Sequence, residues 1–314
     1  NLVGDIGATN ARFAIVAPGS SEIESIQSLK CSDFKDIQSA VSFYLDEHPN
    51  IDIQAACFAT AGTVHLDVFK LANNHWVINK NDVVNALQGV DIEWINDFTA
   101  QAFATTTLGD EDVIVINQGV VEPEKLRLVI GPGTGLGVCG LIMSPSGWLP
   151  IAGEGGHSDF APNTSLEFEI LSLLTKKFGH VAVERILSGP GIMNLYEALC
   201  EINGKEMIYQ TPSEITASVV NAGKDPIADE TIQMFCKIFG SVAGSMALTV
   251  GALGGVYITS DLVRNFLDVF VASDFQKSFE NKGRLQPVLQ DVPVYLSKKK
   301  NMGLIGTVYQ INNH

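Results

Sequence analysis

Hydrophobic residues in the first half of the chain form short apolar runs separated by a helical stripe. Runs of strand type occupy residues 11–17, 53–59, 92–95, 113–116 and 126–130. Residues 33–48 instead carry apolar side chains at the spacing of one helical face. This order of strands and helices predicts an α/β fold.

The second half carries the start and stop signals of several helices. Thr164 and Glu167 have the spacing of a capping box, and Gly179 follows as the expected C′ residue. Residues 211–214 form a second capping box, with Pro212 at the first helical position. The remaining predicted elements are a long helix from Asp225-Pro226 to residue 246, strands at 256–258 and 292–296, and helices at 262–270 and 304–310.

Length and hydropathy predict a large core and two domains, since the chain has 314 residues of which 46% are hydrophobic. No uncharged apolar window approaches the roughly 18 residues of a membrane span, so we expect none. The most apolar stretch, residues 238–257, predicts a buried helix that runs into a strand. We expect no signal peptide, and the start at Asn1 suggests that the first residues are missing.

Net charge and cysteine content further limit the expected partners and the expected cellular compartment. A net charge of −15 would repel a phosphate-rich polymer, so nucleic-acid binding is not expected, and Lys298-Lys299-Lys300 fits a solvated loop better than a polyanion site. The five cysteines are widely spaced and include no C-x-x-C pair. We expect buried free thiols in a reducing, cytoplasmic compartment.

Two turns rich in Gly and Thr are the first candidates for chemistry. Residues 4–10 (GDIGATN) and 131–137 (GPGTGLG) are each flanked by strand-like residues. Glycine lets backbone N–H groups approach a phosphate, although such turns are also ordinary tight turns. Asp5 in the first turn would repel phosphate unless a cation lies between them, which suggests Mg²⁺.

The second turn also matches the dinucleotide fingerprint G-x-G-x-x-G at residues 135–140. That fingerprint must open a helix, whereas residues 138–143 are strand-like, so we expect a hairpin and no NAD site. The P-loop pattern is absent from the chain.

Three further segments place acids where a polyol could bind. Asp97 follows the strand at 92–95, where it could accept a proton from a hydroxyl or simply cap the helix that begins at Phe98. The loop GEGGH carries Glu154 and His157, which suit a polyol but also fit a purely structural loop. Glu184 alone indicates a helix-surface acid paired with a neighbouring Arg185 or Lys177.

Together, the segments GDIGATNAR, NDFTA, GPGTGLG, GEGGH and ERILSGPG resemble the bacterial-type glucokinases of the hexokinase–actin-like superfamily. The resemblance runs from Val3 to about Thr307. A related family of sugar kinases and repressors carries a cysteine-rich zinc motif after its Gly-His, which this chain lacks. The resemblance is therefore to the non-zinc branch.

This resemblance implies a fold and an activity. The expected fold is two-lobed and ribonuclease H-like, with a cleft between a small domain (residues 1–107 plus 298–314) and a large domain (residues 108–297). The expected activity is phosphorylation of D-glucose at the 6-hydroxyl by ATP and Mg²⁺, with no nucleic-acid or membrane partner. Members of the family are typically homodimers.

The resemblance also implies roles for individual residues. Asp97 would be the general base, and Asp5 would serve the metal, through water. The residues implied to hold the sugar are Asn74, Asn96, Asp97, Glu154, His157 and Glu184. The residues implied to hold the nucleotide phosphates are Asp5, Gly7, Ala8, Thr9, Asn10, Gly133, Thr134 and Gly135.

Two departures from the family pattern bear on the nucleotide. Ala8 stands where a second glycine is common, which is tolerable if its φ is negative. Residues 259–261 (Thr-Ser-Asp) stand where Ala-Gly-Gly usually lies against the adenosine, so we expect Ser260 and Asp261 to narrow that surface and add a charge. Asp261 could instead cap the following helix.

The departure at Ser260 and Asp261 keeps a sugar-binding regulator with an impaired ATP site open as a rival to the enzyme. A kinase for another hexose is a second rival, because the sequence does not separate epimers. An actin-like nucleotide switch would give GEGGH and ERILSGPG no evident purpose.

Overall fold

The computed structural model describes residues 1–62, 64–71, 74–221 and 225–313 of the chain. The chain forms two compact units. The first comprises Asn1–Gly109, Pro150–Ala152 and Lys299–His314, and the second comprises Asp110–Leu149 and Gly153–Lys298. The bounds of the predicted small and large domains lie within a few residues of the bounds of these units. The prediction did not assign residues 150–152 to the first unit, and the domain assignment stays a prediction.

The first unit is built on a five-stranded mixed sheet in the order β3-β2-β1-β4-β7. Its strands are β1 (Leu2–Ile6), β2 (Asn10–Ile15), β3 (Glu24–Lys30), β4 (Ala56–Thr60) and β7 (Ile92–Asn96), and a separate hairpin pairs β5 (Val68–Lys70) with β6 (Val77–Asn79). Strands β1, β4 and β7 are parallel, whereas β2 and β3 complete an antiparallel edge. The carboxyl ends of the three parallel strands therefore meet at one edge of the sheet.

Helices cover both faces of this sheet, and residues of β1 are buried on each face. The helices are α1 (Ile37–Asp46), α2 (Lys80–Ala86), α3 (Asp97–Ala104) and α12 (Met302–Asn313). Leu2 and Ile6 belong to the core cluster that includes α1 and α2 residues. Val3, on the other face, packs with Leu304 and Val308 of α12. The C-terminal helix thus belongs to the core of the first unit.

The second unit contains a six-stranded sheet in the order β11-β10-β9-β12-β13-β8. The strands are β8 (Val113–Asn117), β9 (Arg127–Pro132), β10 (Leu136–Ser144), β11 (Gly147–Gly153), β12 (Val256–Ile258) and β13 (Val294–Ser297). β9 and β10 form an antiparallel hairpin, and β12 lies parallel to β9. The sheet thus brings the end of β12 beside the turn that follows β9.

The helices of this unit share its core with the sheet. They are α4 (Ser165–Phe178), α5 (Gly189–Ile202), α6 (Pro212–Val220), α7 (Pro226–Val250), α8 (Asp261–Arg264), α9 (Leu267–Ala272), α10 (Phe275–Glu280) and α11 (Gln286–Gln290). α7 packs against α5, α6 and α10. By length and composition α7 could cross a membrane, but 61% of its most apolar window is buried inside the protein, as in a core helix.

Two predicted helices differ most from the observed ones, one in its start and one in its continuity. The helix predicted at residues 33–48 begins only at Ile37, because the side chain of Asp36 accepts the N–H of Ser39 and caps it there. The helix predicted at 262–270 is split into α8 and α9. Phe266 leaves the helical conformation at the break and packs its ring edge-on against Phe235 in the core.

Of the two hydrogen bonds in the capping box predicted at Thr164, one is confirmed and the other is wrong. The Thr164 side chain does accept the N–H of Glu167, as predicted. The Glu167 carboxylate, however, accepts the N–H of Asn163, one residue before the cap. The box predicted at Thr211 is reciprocal with Glu214 and is confirmed.

Two predictions about surface and thiols are confirmed. All five cysteines are free and buried. Lys298-Lys299-Lys300 is exposed at the end of β13.

Candidate active site

The first Gly/Thr turn is the hairpin between β1 and β2. Gly7 donates its N–H to the carbonyl of Asn10 at 2.9 Å, which closes the turn. Ala8 has no positive φ, so the condition for tolerating its Cβ is met. Thr9 is exposed at the tip. The turn can therefore present Thr9 and backbone groups to a ligand.

The side chain of Asn74 is hydrogen-bonded to this turn. Its Nδ2 donates to the carbonyl of Gly7 at 3.2 Å, and its Oδ1 accepts the N–H of Trp76 at 2.9 Å. The Cys31 thiol also lies against the Gly7 carbonyl, and the Cys31 N–H donates to Thr9. The structure thus places Asn74 at the first Gly/Thr turn, with both atoms of its amide engaged.

Asp5 lies on β1 directly opposite Arg12 on β2, and the two side chains form an ion pair at 3.3 Å. The Asp5 side chain is only 16% exposed. Burial raises the pKa of Asp5 above its usual value of 3.8, and the Arg12 guanidinium opposes that shift. Arg12 was not predicted as a site residue, although it belongs to the GDIGATNAR motif and lies opposite Asp5 in the β1–β2 hairpin.

Asp97 begins α3 at the carboxyl end of β7. In the sheet, Ile6 of β1 lies beside Thr60 of β4, which lies beside Asn96 of β7. The first turn and Asp97 therefore emerge from the same sheet edge, two strands apart, or about 10 Å. The sheet thus brings together, in one unit, the predicted base and the predicted first phosphate turn.

The alternative that Asp97 caps its helix is wrong, because Asn96 is the cap. The Asn96 Oδ1 accepts the N–H groups of Phe98 and Thr99. Asp97 is the first helical residue, and its Oδ1 also accepts the N–H of Phe98 at 2.9 Å. The carboxylate of Asp97 lies in the first turn of α3, at the positive end of the helix dipole.

The residues of the first turn suit a cation that arrives with phosphates. Across the described ranges, no three His, Cys, Asp or Glu side chains gather as a metal cage. Asp5 supplies one buried carboxylate beside the turn. Mg²⁺ is usually held in this way, by one or two carboxylates together with substrate phosphates and water.

The second Gly/Thr turn joins β9 to β10 and is anchored to α5. Gly133 donates its N–H to the carbonyl of Gly135 at 2.7 Å, and its own carbonyl accepts the N–H of Gly189 at 2.8 Å. Gly133 and Thr134 are exposed. Because strand β10, not a helix, follows this turn, the expectation of a hairpin is confirmed and the dinucleotide fingerprint is excluded.

Glu184 contacts this second turn, so its pairing with Arg185 or Lys177 is wrong. Its Oε2 accepts the N–H of Leu136 at 2.9 Å. The same oxygen lies 2.3 Å from the position that a Cβ on Gly135 would occupy. Glycine at position 135 therefore makes room for the carboxylate.

The GEGGH loop follows β11 and packs onto the start of β10. A Cβ on Gly156 would lie 2.2 Å from the carbonyl oxygen of Leu136, and one on Gly155 would lie 3.1 Å from Val138. The side chains of Glu154 and His157 are exposed. The second unit thus gathers Glu154, His157, Glu184 and the turn at 133–135 around Leu136.

Ser260 and Asp261, which depart from the family pattern, do not add an uncompensated charge to the second unit. Ser260 is buried; it donates to the carbonyl of Pro132 in the second turn and caps α8 by accepting the N–H of Val263. The alternative that Asp261 caps α8 is therefore wrong. Asp261 instead pairs with Arg264 one turn later. The observation that motivated a regulator with an impaired ATP site is thereby weakened.

Comparisons with known proteins cover the whole chain. Residues 2–314 match the sequence profile of the Glucokinase family. The glucokinase of Hahella chejuensis is 46% identical over 312 residues, which are 99% of this chain and 97% of that protein.

Solved structures show the same fold. The crystal structure of a glucokinase from an Antarctic psychrotroph superimposes with a TM-score of 0.87 at 34% identity, covering 100% of this chain and 98% of that one. A glucokinase from Balamuthia mandrillaris, solved with glucose, shares the fold at a TM-score of 0.83 and 18% identity, covering 100% of this chain and 93% of that one. The two-unit α/β architecture is that of the actin-like sugar kinases, and the chain belongs to the glucokinase family.

Proposed function

We propose that this protein transfers the γ-phosphoryl group of ATP to the 6-hydroxyl of D-glucose, yielding glucose 6-phosphate. Membership of the glucokinase family supports the reaction and its two substrates. The observation that carries the proposal is the placement of Asp97, a carboxylate at the carboxyl end of β7 on the same sheet edge as the turn at 7–10. Open α/β sheets bind their ligands at this edge.

Asp97 is proposed as the general base. Phosphoryl transfer asks the protein mainly to position its substrates and to stabilise charge, with one group to accept the proton of the attacking hydroxyl. Asn96 caps α3, so Asp97 is fixed in the first helical turn and presented by a rigid element.

Glu154, His157 and Glu184 are proposed to bind the other sugar hydroxyls, together with Asn96 and Asn74. Carboxylates accept hydrogen bonds from hydroxyls, and an imidazole can donate or accept. The exposure of Glu154 and His157 leaves their side chains accessible to a sugar. Asn74 would act on the sugar through a rearrangement or through the turn that it supports, because both atoms of its amide are engaged.

The two Gly/Thr turns are proposed to hold the phosphates through backbone N–H groups and the side chains of Thr9, Asn10 and Thr134. Asp5 would hold Mg²⁺ through water beside the first turn. Bound there, the ion would neutralise charge on the phosphates. Arg12 keeps the Asp5 carboxylate in place.

The setting of the enzyme is also a proposal. The five buried free thiols support a reducing cytoplasm. A homodimer and the first step of glycolysis follow from the resemblance to bacterial-type glucokinases.

The test is kinetic, with Asp97→Asn as the variant and Asp91→Asn as its matched control. Asp91 is exposed at the opposite end of the same strand. Loss of the base should lower kcat by about 10²-fold or more, while Asp91→Asn stays at the wild-type rate. Near wild-type turnover of Asp97→Asn would end the assignment. The rival, a sugar-binding regulator, would be favoured if calorimetry detected binding of glucose but not of ATP and if the assay detected no glucose 6-phosphate.

A further inference from the structure

The C-terminal helix α12 lies against Asp5. Side chains of β1 alternate between the two sheet faces, so Val3 and Asp5 point to the same face. Val3 packs there against Leu304 of α12. The neighbouring Gly303 lies so close to Asp5 that a Cβ on it would be 2.6 Å from the Asp5 carboxyl carbon and 2.8 Å from each oxygen.

α12 is held at this distance by a second close approach. A Cβ on Gly306 would lie 1.7 Å from the carbonyl oxygen of Ala100 in α3. Leu304 and Val308 are buried on the neighbouring face of the same helix. Because backbone contacts and core packing fix α12, the helix cannot easily retreat from Asp5.

We propose that Gly303 is a positioning residue for the phosphoryl transfer. Because Gly303 has no side chain, the Asp5 carboxylate can lie between Arg12 and the first turn of α12. The inference rests on the proposed function, in which Asp5 serves the metal of MgATP. The site of action is Asp5, and Gly303 does not itself touch the substrate.

Two physical arguments support this role. Gly303 is the second residue of α12, so its contact places the Asp5 carboxylate beside the first turn of that helix. Glycine is also a poor helix former, so alanine would be preferred at position 303 if nothing lay against it. The Asp5 contact provides the reason for glycine.

The substitution Gly303→Ala is therefore expected to have an unusual signature. The atoms nearest to the new methyl group belong to a side chain, so the carboxylate moves while the fold persists. Thermal stability should stay unchanged or rise through helix propensity. Affinity for MgATP should fall by about tenfold, the equivalent of one lost charge-assisted contact. The KM for glucose and the affinity for ATP without metal should not change.

Calorimetry of ATP with and without Mg²⁺, combined with thermal unfolding, measures this signature in the full-length protein. Gly244→Ala is the matched control, because its Cβ would lie 2.3 Å from the carbonyl oxygen of Phe279 in the second unit, and the nearest atoms belong to Phe279 and Lys282. It should lower stability while metal-dependent ATP affinity remains. In the background of Asp5→Asn, adding Gly303→Ala should weaken MgATP binding little further.

Three results would overturn the inference. They are wild-type MgATP affinity in Gly303→Ala, an equal loss with and without Mg²⁺, and full additivity with Asp5→Asn. Failure of the proposed function would look different. The wild-type protein would then bind MgATP without forming glucose 6-phosphate, and the calorimetric comparison would still decide the role of Gly303.

Discussion

Glu184 offers a sharp test because the structure gives it a contact beyond the sugar role implied by resemblance. Its carboxylate accepts the N–H of Leu136, the residue that follows the turn at 133–135. Glu184→Ala removes this acceptor. Glu184→Gln keeps an amide oxygen at the same reach and removes only the charge.

The magnitude follows from the burial of Leu136, which is 5% exposed. Leaving a buried donor unsatisfied costs about 1–3 kcal/mol, whereas replacing a charged acceptor by a neutral one costs about 1 kcal/mol or less. For a chain of this size each kcal/mol shifts Tm by roughly 2 °C, so Glu184→Ala should melt about 2–6 °C below wild type. Glu184→Gln should melt within about 2 °C of it.

Kinetics separates the two contacts of Glu184. Both variants should raise the KM for glucose, because both lose the carboxylate. Only Glu184→Ala should also raise the KM for ATP, since only it frees the turn at 133–135. Differential scanning calorimetry and a coupled assay for glucose 6-phosphate give both readouts. A Glu184→Ala enzyme with wild-type Tm and wild-type KM for ATP would refute the reasoning.

Three further predictions concern the first unit and the thiols. Because burial raises the pKa of Asp5, its ionised form is disfavoured in the folded state, and this penalty grows as pH rises from 3.8 through the raised value. Asp5→Asn should therefore melt at or above wild type at pH 7 and lose that advantage in acid, while activity falls; a lower Tm at pH 7 would contradict this. Asn74→Asp cannot donate to the Gly7 carbonyl and should weaken ATP binding about tenfold or more, whereas an unchanged KM for ATP would leave Asn74 without a role at the turn. Native protein should react slowly with a thiol reagent and expose five thiols in denaturant, because all five cysteines are buried; fast native labelling would contradict their burial.

Much of the fold is predictable from local pattern. Apolar runs predicted β2, β4, β7, β8 and β9, and the capping signals at Thr211 and Asp225 placed two helix starts correctly. These signals lie within a few residues of the element that they define. The break at Phe266 escaped prediction because it depends on a core contact with Phe235, which the local pattern does not contain.

The sequence provided candidate site residues but not the contacts that these residues make. The bond from Asn74 to Gly7 spans 67 residues, and the bond from Leu136 to Glu184 spans 48. Only the folded chain brings these pairs together. At Asn96-Asp97 and at Ser260-Asp261, local rules allowed a cap at either position, and the backbone conformation selected the first of each pair.

The central claim is phosphorylation of glucose at its 6-hydroxyl with Asp97 as the base. The most direct measurement incubates the protein with glucose and MgATP and identifies the product by phosphorus NMR, for wild type and Asp97→Asn side by side. The account predicts glucose 6-phosphate from the wild type and a rate that is lower by about 10²-fold or more in the variant. A wild-type protein that leaves glucose unphosphorylated, or a variant that matches its rate, would contradict it.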